Sequence, residues 1–122
     1  MPTAIRALRG ATTVDDDTRE QIFQRVVALL TELFERNGLA HDDVISVLFT
    51  ATDDLHSAFP ATAAREFGLG DVPLICAREL DIEGATPRCI RVMMHLTTDR
   101  SPSELRHVYL EGAKGLNDDL PS

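Results

Sequence analysis

The stretch RCIRVMMHL, Arg88 to Leu96, reads as a strand with two unlike faces. Alternate residues of a strand point to opposite sides, so Ile90, Val92, Met94 and Leu96 form one wholly apolar row. Cys89, Arg91, Met93 and His95 form the other. The first row belongs against a core. The second is neither core nor ordinary surface, because a guanidinium between a cysteine and a methionine is costly to desolvate unless an anion meets it there. Arg91 is therefore the residue whose partner has to be found.

Working outward, Thr3 to Val14, TAIRALRGATTV, is β-prone, with Ile5, Ala7 and Arg9 on one face and Arg6 and Leu8 on the other. DDDTREQ follows, with Asp17 and Glu20 spaced as a capping box. Ile22, Phe23, Val26, Val27, Leu29, Leu30, Leu33 and Phe34 then recur at helical spacing until Asn37-Gly38 ends the helix. VISVLFTA, Val44 to Ala51, is a nearly continuous apolar run of the kind expected for a strand buried on both faces. After the loop TDDLHSAFP, Pro60 is placed to begin a short helix, PATAAREF, stopped by Gly68 and Gly70. VPLICARELDI gives another strand, and EGATP turns the chain into the RCIRVMMHL strand, which is expected to run antiparallel to its predecessor. Near the end, Ser103 is a candidate cap for a helical turn, and the last few residues form a loosely held tail.

The order β, long α, β, short α, β, β predicts one α+β domain spanning residues 1–122, a small mixed sheet with one long and one short helix on one face. The other face is still apolar, which predicts a homo-oligomer whose sheets pack together.

Composition narrows the function. A net charge of −8 repels a phosphate backbone and argues against nucleic acid as a partner. No apolar run approaches the roughly 18 residues of a membrane span, and the N-terminal MPTAIRALRG has no signal-peptide core, so a cytoplasmic protein is expected. Cys76 and Cys89 form no C-x-x-C pair, and His41, His56, His95 and His107 show no ligand spacing, so neither a metal site nor a disulfide framework is indicated. Of the basic residues, all but Lys114 are arginine. Genomic base composition is one explanation, and planar forks for carboxylates are another.

Arg9, Cys76, Glu79 and Arg91 are polar groups on strands or strand edges that a plain core does not need. Singly each has an ordinary reading: an arginine at an edge or in an ion pair, Glu79 as the partner of such an arginine, a small buried thiol. Together, two cations, one carboxylate and one thiol on neighbouring strands make a compact pocket of positive character.

LRGATTV, TATDDLHSAFPATAARE, VPLICARELDI, CIRVMM and RHVYLE, in this order, closely resemble the monofunctional chorismate mutases of the small trimeric α+β type over almost the whole chain. The resemblance implies rearrangement of chorismate to prephenate, without cofactor or metal, by a homotrimer whose sheets form a pseudo-barrel and whose sites lie between adjacent subunits. It implies that Arg91 lies beside the ether oxygen of the breaking bond, that Arg9 and Tyr109 meet the side-chain carboxylate, and that Glu79 and Cys76 lie near the ring hydroxyl. Phe59 and Ala61 would line an apolar wall, with Arg65 near the ring carboxylate, Leu74 and Ile75 on the adjoining strand, and Leu116 closing the pocket. Thr62 stands where the better-known members of that family have a lysine, and Asn117 similarly lacks a basic side chain. Two rival functions stay open on residues alone: a regulatory module that binds a small acid, and a trimeric imine or enamine hydrolase.

Overall fold

The structure is a computed structural model that describes residues 3–116. Its strands are β1 (Ala4–Thr13), β2 (Val44–Ala51), β3 (Leu74–Arg78), β4 (Cys89–Thr98) and β5 (Val108–Tyr109), with helices α1 (Arg19–Asn37) and α2 (Pro60–Ala64). The strands form one sheet in the order β3-β2-β4-β1-β5. β4 is antiparallel to both β1 and β2, while β3 runs parallel to β2 and β5 parallel to β1. This is the mixed α+β sheet that the sequence predicts.

The two rows of β4 separate as the alternation requires. Ile90, Val92, Met94 and Leu96 are buried with Leu8, Val47 and Phe49 beneath the apolar stripe of α1 and the alanines of α2. On the opposite face Ile5, Leu48, Ile75 and Met93 remain exposed, at 65%, 39%, 64% and 37%. β2 is thus buried on its helix side only, and the expectation of burial on both sides fails for the single chain.

Three local expectations meet a different geometry. β4 does run antiparallel to β3, as expected, but across β2 rather than paired with it, because β2, whose apolar length claims a central position, takes a hydrogen-bonded neighbour on each edge. The connection between them therefore passes the end of β2, turning at Gly84 with φ +85°. The cap of α1 is Thr18, whose extended backbone lets Oγ1 accept from Gln21 N–H at 3.2 Å. Asp17, one residue earlier, accepts instead from the backbone N–H groups of His56 and Ser57, tying down the loop before Phe59. Ser103 lies inside the single turn Pro102–Glu104; it is Ser101 that precedes the turn, its N–H donating to the Glu104 carboxylate at 2.8 Å.

Gly38 ends α1 in the left-handed conformation, as expected. Pro60 opens α2, which passes into one wider π-type turn over Arg65–Leu69. That turn closes at Gly68, where φ is +124° and any Cβ would come within 2.6 Å of His41 Nε2. β5 has no forerunner in the sequence reading. The loosely held tail and Asn117 lie outside the described residues.

Candidate active site

Arg91 finds its partner in Glu79. On β4 it stands opposite Thr50 of β2 and Ala11 of β1, on the face away from the helices. Glu79 follows the last residue of β3, where its N–H donates to Ala51 O at 2.9 Å, and its Oε2 comes within 3.2 Å of Arg91 Nε. Thr50 Oγ1 donates to the same oxygen at 2.7 Å. The Glu79 backbone is thus tied to β2 and its carboxylate lies between Thr50 and Arg91, which fixes the direction of the guanidinium.

Around this pair lies a cavity of about 220 Å³, lined also by Arg9, Leu48, Met93 and Tyr109. Arg9 stands opposite Met93 in the sheet, and Tyr109 of β5 stands beside Ala11. Among the described residues no carboxylate lies within ion-pair distance of Arg9. Two guanidiniums against one carboxylate leave the cavity an excess of positive charge, which suits an anion. Leu116 and Tyr109 pack over Ala11, Cys89 and Ala113, so the segment after β5 covers one end of this face. Burial pushes the Cys89 thiol up from its usual value, against the pull of the Arg91 charge.

Cys76 is not in this cavity. It stands beside Phe49 in the parallel β2–β3 register and packs against the core, whereas Ala77, beside Thr50, shares the face of Arg91. The compact four-residue pocket expected from the sequence is therefore three residues, because the chain leaves the strand after Arg78 and only then delivers Glu79. Cys76 lines a second and larger cavity of about 580 Å³, with Phe59, Thr62, Leu55, Arg19 and Arg78. Phe59 is 71% exposed there.

The other expected residues divide between these regions. Ala61 is buried in the core behind Phe59, and Leu74 packs against the core beside Val47. Ile75 lies beside Leu48 on the open face. Arg65 is exposed at the end of α2 and lines neither cavity. In one chain, then, Arg9, Glu79, Arg91 and Tyr109 come together, with Leu116 close to Tyr109, while Phe59, Thr62 and Cys76 gather elsewhere.

Sequence reasoning missed Thr50, although a polar residue in phase with Leu48 on an apolar strand was a readable signal. It missed Arg19, whose guanidinium stacks on the Phe23 ring at 4.3 Å, and Arg78, which holds Asp53 and the Thr52 carbonyl. Among the described residues no three His, Cys, Asp or Glu side chains are grouped to hold a metal ion, and no helix is long and apolar enough to cross a membrane.

The family model for chorismate mutase type I matches residues 5–120. The chain is 47% identical to the chorismate mutase AroH of Bacillus subtilis (strain 168) over 117 residues, 95% of this chain and 92% of that one. It is 46% identical to the chorismate mutase AroH of Thermus thermophilus over 119 residues, 97% of this chain and 98% of that one. A solved chorismate mutase from Clostridium thermocellum shares the fold with a TM-score of 0.87 at 50% identity, covering 89% of this chain and 97% of that one. With the mixed sheet and the cationic cavity already in place, these likenesses over nearly full length settle its kinship: the chain belongs to the chorismate mutase type I family.

Proposed function

We propose that the protein rearranges chorismate to prephenate in a site shared between neighbouring subunits of a homotrimer, with the cavity around Arg91 as one half of that site. The observation that carries this reading is the pairing of a permanently charged, rigidly held Arg91 with a second cation, Arg9, that has no carboxylate within ion-pair distance among the described residues, in a cavity too small to enclose a ligand alone. At about 220 Å³ it falls below the roughly 300–1,000 Å³ of ordinary small-molecule sites. The exposed Ile5, Leu48, Ile75 and Met93 around it supply the apolar surface that a neighbour would cover. The larger cavity with Phe59, Thr62 and Cys76 is the complementary half.

Chorismate is a flexible dianion, and its rearrangement breaks an ether C–O bond while forming a C–C bond, with no proton transferred. Two things lower the barrier: confinement in the compact reactive conformer, and a fixed positive charge at the oxygen that gains electron density. Arg91 serves the second, because it stays protonated and Glu79 and the sheet fix its direction. Arg9 and Tyr109 hold the side-chain carboxylate, and Glu79, with Cys76 of the adjoining subunit, faces the ring hydroxyl. Phe59, Thr62, Arg65 and Ile75 of that neighbour form the opposing wall, backed by Ala61 and Leu74, which pack in and against its core, and Leu116 closes the rim.

Loss of chorismate absorbance with appearance of prephenate, together with sedimentation of the purified protein, tests the proposal. Turnover by a trimer is expected. Bound but unaltered chorismate would refute the catalytic reading, and full turnover by a monomer would refute the shared site.

A further inference from the structure

We infer that His107 is a positioning residue for Arg9, its imidazole standing in for a strand carbonyl opposite the Arg9 backbone N–H. The inference rests on the assignment of Arg9 to the substrate carboxylate and adds a residue to that machinery. Along β1, alternate residues turn their backbone groups toward the β5 edge. Ala11 O there accepts from Leu110 N–H at 2.9 Å, and Arg9, two residues earlier, faces the same way. β5 is only Val108–Tyr109, and its register begins at Gly10 beside Val108. The ladder has therefore ended before it reaches Arg9, whose N–H would be left as an edge donor. The imidazole of His107 fills the gap, with Nδ1 2.9 Å from Arg9 N.

That contact defines the state of the ring. A backbone N–H can only donate, so Nδ1 must be bare and the proton must reside on Nε2. The surroundings favour this neutral form, because burial and then the Arg9 charge hold the imidazole below its usual range. The pairing of its neighbours Leu8 and Gly10 with Met94 and Val92 of β4 holds the strand on one side of Arg9, and His107 holds it on the other. The guanidinium then enters the cavity from a backbone that cannot slide along the sheet edge.

A carboxylate is charged in both the ground state and the transition state, so misplacing Arg9 weakens both nearly equally and shows mainly in KM. We expect His107→Leu to raise KM for chorismate roughly tenfold, about the effect of one hydrogen bond, with kcat changed far less. His107→Asn, whose Oδ1 can accept in place of Nδ1, should stay near wild type. The double variant Arg9→Ala/His107→Leu should be no worse than Arg9→Ala alone. An unchanged KM in His107→Leu, a loss confined to kcat, or a double variant in which the two losses multiply would each overturn the inference. Should His107→Leu fail to fold, nitrogen-15 NMR of histidine-labelled wild type at pH 7 decides: a bare, hydrogen-bonded Nδ1 supports the inference, and a protonated Nδ1 overturns it. If Arg9→Ala is itself as active as wild type, the assignment of Arg9 fails and the inference falls with it. If Arg9→Ala is impaired while His107→Leu is normal, only the role of His107 is lost.

Discussion

Arg91 Nε lies 3.2 Å from Glu79 Oε2, yet it is buried without a properly directed hydrogen bond to it. The ion pair thus anchors the guanidinium without drawing its donors fully onto the protein. In the proposed reaction it is the rest of the guanidinium that acts on the substrate. A guanidinium held by a carboxylate that is itself held by Thr50 is preorganised, and that is the property needed to stabilise charge as it develops.

Arg91→Ala is expected to lower kcat by at least roughly 10² to 10³, the usual effect of removing one preorganised donor, with little change in folding. Steady-state kinetics beside circular dichroism and thermal melting check this. Near-normal turnover in a folded variant would remove Arg91 from the chemistry.

The two cysteines should behave differently. Cys76 is partly exposed in a cavity, whereas Cys89 is buried and its thiol is pushed up by that burial. A thiol reagent at neutral pH should modify Cys76 in the folded protein and Cys89 only after denaturation. Cys76→Ser should keep turnover within a few-fold of wild type, since a thiol that positions a hydroxyl can be replaced by another hydroxyl. Rapid labelling of Cys89, or a covalent adduct on Cys76 trapped during turnover, would contradict these assignments.

Asp17 links acidity to the arm that carries Phe59. Burial opposes its ionisation but is outweighed by hydrogen bonds from His56 and Ser57, which hold its carboxyl below the ordinary 3.8. A depressed folded value means stabilisation that is complete above 3.8 and is lost as pH falls through the lower, folded value. Protection of the His56 and Ser57 amides from hydrogen exchange, corrected for intrinsic rates, should therefore fall below pH 3.8. Asp17→Ala should remove it at neutral pH, at about 1 kcal/mol of stability. Protection that is indifferent to both changes would show that the carboxylate is not the anchor.

The shared site makes a quantitative claim. Arg91→Ala damages the strand half, and Phe59→Asp with Arg65→Ala damages the loop half, so each parent should be nearly inactive. Refolded as an equal mixture, random cyclic assembly unites two intact halves at about one site in four, and roughly a quarter of wild-type activity should return. Sedimentation establishes the oligomer independently. No gain on mixing, with parents that fold and exchange subunits, would place the whole pocket within one chain.

What the sequence revealed follows from periodicity. α1 was legible because Ile22 to Phe34 repeat at 3.6 residues, and the rows of β4 because Ile90 to Leu96 alternate. Arg9, Glu79 and Arg91 stood out as charges on strands, and the structure brings them together. β5 was not legible, since two residues have no period. Nor was the place of β3 across β2 from β4, because strand order depends on pairings far apart in the chain. The face of Cys76 was lost for a related reason. It turns on the register with Phe49 and on where the strand ends, and a shift of one residue would reverse it.

The short β5 carries one more implication, for the order in which the molecule is made. Arg9 and the imidazole that accepts from its backbone are 98 residues apart along the chain. The strand bearing Arg9 thus leaves the ribosome well before both of its neighbours in the sheet, β4 and β5. α1 and β2 are available to collapse early, but the cationic pocket has no partial form during synthesis. A truncated or stalled chain that lacks the segment around Val108 is accordingly left with an open sheet edge and an unsupported arginine, so prematurely terminated products should be aggregation-prone as well as inactive.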